Sequence, residues 1–153
     1  MVCESERISK MFADLYAGNP WIEVTITDTL KNIKAESAYK KPAAGINSIW
    51  EIVNHLISWR TTILKRLQGS TIPSPPNNYF EPVKDKSQEA WEATLERLNK
   101  TQTEWVEMLS KLSEEKYDEF YPNYGYSVCE FVNGIIQHDA YHLGQIVLIK
   151  KLL

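Results

Sequence analysis

From Phe131 to Ile149 the chain returns to one stripe at every third or fourth residue: Phe131, Ile135, His138, His142, Gln145 and Ile149. That is the period of an α-helix, and the stripe is the face a helix normally buries. Two histidines and a glutamine interrupt it in the middle. Imidazole is costly to bury unless its nitrogens find partners. Residues four apart on a helix have Cβ atoms about 5–6 Å apart, so both rings can converge on one point. A metal ion roughly 2.0–2.1 Å from a nitrogen of each ring would satisfy them together.

The same period recurs upstream. Ile8, Met11, Phe12 and Leu15 predict a short amphipathic helix over 4–17, stopped by Gly18-Asn19-Pro20. Ile22, Ile26, Leu30 and Ile33 predict a second over 21–33, although its β-branched run also suits a strand. Residues 35–46, with Pro42 and Gly45, read as a connecting loop. Ser48-Ile49-Trp50-Glu51 is a capping box, and the helix it opens runs to about Gln68 with Ile49, Ile52, Leu56, Trp59, Ile63 and Leu67 inward. Ser70 to Lys86 holds four prolines and no period; loops that long in small domains are usually mobile or functional, as a lid is. Ser87 starts a third long helix carrying Trp91, Leu95, Leu98, Trp105, Met108, Leu109 and Leu112. After a polar turn rich in tyrosine, Ser127-Val128-Cys129-Glu130 repeats the capping box and opens the last helix. These segments predict an all-α four-helix bundle, one domain over residues 1–153, with two connections long enough to cross it.

The chain of 153 residues has three histidines. The third, His55, lies beside the buried stripe of the Ser48–Gln68 helix, about 10 Å of helix rise from its cap. His138 and His142 lie about 16–22 Å from theirs, so the three rings can meet if the helices run side by side. Three neutral imidazoles favour zinc, nickel, iron or cobalt over magnesium or calcium, and three protein ligands leave a position for water or substrate. A net charge of −3 argues against binding nucleic acid through phosphates. Cys3 and Cys129 form neither a disulfide framework nor a thiolate knuckle, which fits a cytoplasmic protein. The N-terminal Glu4, Glu6 and Arg7 do not suit a signal peptide, and no apolar run approaches a membrane span.

Asn19-Pro20-Trp21, then Ser48-Ile49-Trp50-Glu51-Ile52-Val53-Asn54-His55 with Trp59, then His138-Asp139-Ala140-Tyr141-His142-Leu143-Gly144-Gln145-Ile146, resemble the DinB/YfiT-like proteins over nearly the whole chain. The resemblance implies a four-helix bundle that holds a divalent metal through His55, His138 and His142: zinc or nickel first, then iron, cobalt or manganese. It implies a homodimer. It also implies a small-molecule substrate and, for members with assigned activity, S-transfer or isomerisation with bacillithiol, mycothiol or glutathione. Other members carry a metal-hydrolase label, and a non-catalytic, stress-associated bundle is the remaining alternative. No thiol-binding motif stands in this sequence, and the sequence assigns no catalytic residue beyond the expected metal ligands.

Neighbouring residues have competing readings. Glu51 lies one turn before His55, but its capping role accounts for it. Gln145 can bond a metal-bound water or face another helix. Asp139 can hold a histidine tautomer, but it points about 100° away from His138, so solvent or another helix is the expected partner. Trp59 can wall a pocket or pack in the core, and Tyr124, Tyr126 and Tyr141 can offer a phenol or simply pack. Cys129, about 13–14 Å of helix before His138, is too far to share its ion.

Overall fold

The long helices open as the capping patterns predict. Ser48 Oγ accepts from the Glu51 amide at 3.2 Å while Glu51 Oε2 accepts from the Ser48 amide at 2.8 Å. Ser127 and Glu130 repeat the exchange at 3.2 and 2.7 Å, and Ser87 Oγ accepts from the Ala90 amide. Each bond satisfies an amide that a helix start leaves without a partner. A computed structural model describes residues 3–153; the first two residues of the expected 1–153 domain lie outside the described residues. The helices are α1 Glu4–Ala17, α2 Ile26–Leu30, α3 Ala35–Tyr39, α4 Ile49–Leu67, α5 Gln88–Ser110 and α6 Val128–Leu152. A short antiparallel hairpin, β1 Phe120–Tyr121 and β2 Tyr126–Ser127, precedes α6. The fold is an all-α bundle of α1, α4, α5 and α6. Among the described residues no helix is long and apolar enough to cross a membrane.

Two buried clusters fix the helix directions. One gathers Leu15 and Tyr16 with Ile49, Ile52, Leu56, Trp91, Leu98, Leu143 and Ile146. The other gathers Ile8 and Phe12 with Ile63, Leu64, Trp105, Leu109, Phe131 and Ile135. From the first cluster to the second, residue numbers rise along α4 and α5 and fall along α1 and α6. Thus α4 and α5 run parallel, and α1 and α6 run against them. A parallel pair needs its connection to travel back along the bundle, and residues 68–87 are that crossover. Gly69, at φ +93°, turns the chain out of α4 in the left-handed region that favours glycine.

The helix expected over 21–33 is shorter. Thr25 Oγ1 accepts from the Asp28 amide at 3.1 Å, so the helix begins at Ile26, and Asn32 at φ +63° follows its end. Ile22, expected on its stripe, is exposed, as is Trp21 just before it. The loop expected over 35–46 begins with the single turn of α3, too short to announce itself by period. It is held from outside: the Ala35 amide donates to Gln88 Oε1 at 2.9 Å, and Ala35 and Ala38 are buried. The third long helix ends at Ser110, so Leu112, expected on it, lies just beyond its end. The tyrosine-rich segment before α6 forms the hairpin and a 3-10 turn, Glu114–Asp118.

At mid-bundle one charge touches all four long helices. Arg60 on α4 is fully buried and donates through Nε and Nη2 to Asp139 Oδ2 on α6, at 2.9 and 2.7 Å. Its Nη1 donates to Gln102 Oε1 on α5 at 3.0 Å, and Gln102 Nε2 donates to the Phe12 carbonyl on α1 at 3.1 Å. The Arg60 carbonyl accepts from Trp105 Nε1 at 3.2 Å. Asp139 therefore has the inter-helix partner expected of it, buried beyond the reach of solvent. Removing one member of such a pair strands the other charge. Asp139→Ala is expected to lose about 3–5 kcal/mol of stability in urea denaturation, and Arg60→Met with Asp139→Leu to recover most of it. Equal losses in the single and double variants would contradict this role for the pair.

Candidate metal centre

Because α6 runs against α4, His138 and His142 on one meet His55 on the other. The three ring centroids lie 4.9, 4.6 and 4.5 Å apart, and one ligating atom from each falls within 4.8 Å of the others. His55 is fully buried and His142 nearly so, whereas the His138 side chain keeps 23% of its exposure. The structure thus brings together all three histidines that the sequence singles out, and together they can hold a metal ion.

Two of the rings have their outer nitrogens tied in ways that turn the inner ones toward the cluster. His55 Nδ1 lies 2.7 Å from the Asn78 carbonyl, which only accepts, so the proton sits on Nδ1 and Nε2 keeps its lone pair. His142 Nδ1 lies 2.7 Å from Gln145 Oε1, with the same consequence. Gln145 therefore orients a ring of its own helix. Burial, above all, pushes the His55 pKa down to about 4 and lowers that of His142, so both rings are neutral near pH 7. His138 Nε2 approaches His55 Nε2 to 2.9 Å, and nitrogens that close need a proton or a cation between them.

His138 Nδ1 and Asp139 Oδ1 are both buried without a hydrogen-bond partner among the described residues, and they lie 3.9 Å apart. When His138 ligates through Nε2, its proton is left on Nδ1, on the side where this carboxylate oxygen waits. Nitrogens around one cation with bonds of roughly 2.0–2.1 Å are at most about 4.2 Å apart, so small ring rotations suffice. The residues fit a divalent cation of the kind that imidazole prefers.

The crossover between α4 and α5 closes the site. Phe80 stacks on His55 with centroids 4.0 Å apart and planes within 8°. Trp59 Nε1 donates to Asn78 Oδ1 at 2.9 Å, and Tyr79 packs edgewise on the Trp59 ring. Asn78 and Tyr79 sit at φ +52° and +62°, a left-handed pair without glycine that costs energy unless held. The Pro75 carbonyl, Asn77 Oδ1 and Thr62 Oγ1 hold them. Sequence reasoning missed Asn78 and Phe80; the only available signal was a lone aromatic pair, Tyr79-Phe80, inside a proline-rich tract.

The remaining candidates divide. Glu51 is spent on its capping box and on Lys41 Nζ at 2.9 Å, away from the rings. Trp59 touches His138 and lines a cavity of about 890 Å³ that also includes Tyr124, Tyr126 and His138. Tyr141 packs edgewise on His142 with its outer side exposed. Cys129 is a free thiol beside Asn133, outside the histidine cluster.

Metal analysis of untagged protein is expected to find about one divalent metal ion per chain, and substoichiometric metal in His138→Ala. Saturating cation at about 100 times its Kd adds roughly 2.7 kcal/mol of stability. Stripping with a chelator should therefore lower Tm by about 5–10 °C, a shift that His55→Ala no longer shows. An unchanged Tm on chelation, with no metal retained, would dismiss the site.

Among curated proteins and among solved structures, none matches this chain. The family model of the DinB superfamily matches residues 24–146, a span that contains His55, His138, His142, Arg60, Asp139 and the crossover over the site. With its helical bundle and clustered histidines, the chain belongs to the DinB superfamily.

Proposed function

We propose that the protein is a metal-dependent enzyme of the thiol S-transferase type, in which a low-molecular-weight thiol is joined to an electrophilic small molecule. The observation that carries this reading is the placement of the histidine cluster at the wall of a large cavity: His138 belongs to both. A divalent cation held by His55, His138 and His142 would supply Lewis acidity, stabilising a bound thiol as thiolate or a bound water as hydroxide.

The chain's own residues set the conditions. Asn78 and Gln145 fix two rings with their Nε2 lone pairs inward, so neither has to be reorganised when a ligand arrives. Phe80 and Trp59 exclude water from the cluster on the crossover side. His138, the most exposed ring, marks the side from which substrate comes, where Trp59, Ile63, Phe131 and Ile135 offer an apolar wall. The Ser70–Lys86 segment, seated on His55 through Asn78, acts as the gate. A homodimer is part of this reading, with the exposed Tyr141, Leu148 and Leu152 of α6 as its contact face; light scattering at twice the chain mass is the check.

A second reading has one observation in its favour: His55 and His142 are almost fully buried, as in an ion that only clamps α4 to α6. Turnover separates the two. Metal-loaded protein is incubated with 1-chloro-2,4-dinitrobenzene, with and without bacillithiol, mycothiol or glutathione. The expected result is product formation that requires both metal and thiol and falls at least about 100-fold in His138→Ala. Turnover of an ester or amide without thiol makes the protein a hydrolase instead. A metal-dependent Tm with no turnover of either kind leaves the clamp.

A further inference from the structure

Two arginines of α4 are buried, and they are treated differently. Arg60 has the carboxylate of Asp139. Arg66, 5% exposed, pairs with no carboxylate among the described residues. Its Nε and Nη2 donate to the Ile72 carbonyl at 3.0 and 2.6 Å, and Nη2 also donates to Ser74 Oγ at 3.1 Å. The guanidinium carbon lies 4.3 Å from the centre of the Tyr124 ring and 5.8 Å from that of Trp59. Nη1 donates to nothing among the described residues, and Arg66 lines the same cavity as His138. Ser74 lines it too and, having accepted from Arg66, still has its own hydroxyl proton to give. The one carboxylate on the cavity wall, Glu130, is turned to the Ser127 amide and hydroxyl.

We infer that Arg66 Nη1 and the Ser74 hydroxyl form the anion-binding end of this cavity, and that its ligand is a small carboxylate on an apolar body. A buried guanidinium without a counter-charge is costly, and the aromatic faces and one carbonyl offset only part of that cost. An incoming carboxylate supplies the missing charge and meets directional donors that are already held in place. The apolar body then lies along Ile63, Phe131 and Ile135, towards His138. As a statement about substrate this rests on the enzymatic reading above; as a statement about binding it holds with or without a cation. If Arg66 served only to staple residues 72–74 to α4, a carboxylate and its neutral amide would bind alike.

The test is calorimetric titration of the full chain with 3-phenylpropionate and with 3-phenylpropionamide, in metal-loaded and chelator-stripped protein. The carboxylate is expected to bind about ten- to hundredfold more tightly than the amide in both states. That preference disappears in Arg66→Gln. Gly134→Trp blocks both ligands, because Gly134 lines the cavity and a Cβ there meets nothing within 4 Å. Equal binding of acid and amide by the natural chain, or no binding of the acid, overturns the inference even if the arginine variant fails to fold. A preference present only with metal places the carboxylate on the cation, which also overturns it while leaving the metal centre intact. A preference kept by stripped protein that shows no turnover upholds it and ends the enzymatic reading instead.

Discussion

One guanidinium holds the four long helices to a common setting. Arg60 meets Asp139 on α6 and Gln102 on α5, and Gln102 passes the contact to the Phe12 carbonyl on α1. A buried charge tolerates few arrangements, since a missing partner leaves it neither solvated nor paired. The planar fork is directional, so Asp139 is held at one rotation of α6 about its axis. Its neighbours inherit that rotation: His138, one residue before, and His142, three after, both land against α4. Apolar packing alone would resist sliding of α6 less selectively, because apolar contacts are non-directional. The interaction that orders the bundle also aims the candidate ligands.

Helix direction supplies the second constraint. With α4 and α5 parallel, the chain must travel the length of the bundle between them, and it does so as an extended, proline-rich segment lying across the histidines. An up-and-down arrangement would have joined the two with a tight turn at one end and laid no such segment over His55. Here the connection supplies the Asn78 carbonyl and the Phe80 ring, the two groups that fix and cover His55. Topology, rather than any local motif, makes this stretch part of the site.

Features carried by local periodicity and capping were readable before any coordinates: the four long helices, two capping boxes, and three histidines facing a shared seam. Features settled by tertiary partners were not. The single turn of α3 depends on Gln88, far along the chain, and Thr25 cuts short a helix that the apolar spacing of Ile22 and Ile26 would have extended. The pairing of Arg60 with Asp139 was only half visible, because an aspartate's direction can be read from a helical wheel and its partner's identity cannot. Asn78, Phe80 and Arg66 were invisible as site residues. Two lie in a segment without period, and an arginine near a helix C-terminus has an ordinary explanation in the dipole.

The bond between His55 Nδ1 and the Asn78 carbonyl joins a would-be ligand to a segment that has no helix or strand of its own. Binding equilibria linked in this way are reciprocal. Whatever free energy the seated crossover contributes to retaining a cation, the cation returns in equal measure to seating the crossover. Hydrogen exchange in the left-handed Asn78–Tyr79 corner would then read out occupancy of the histidines, making a stretch of backbone with no ligating atom a sensor of the ion's presence.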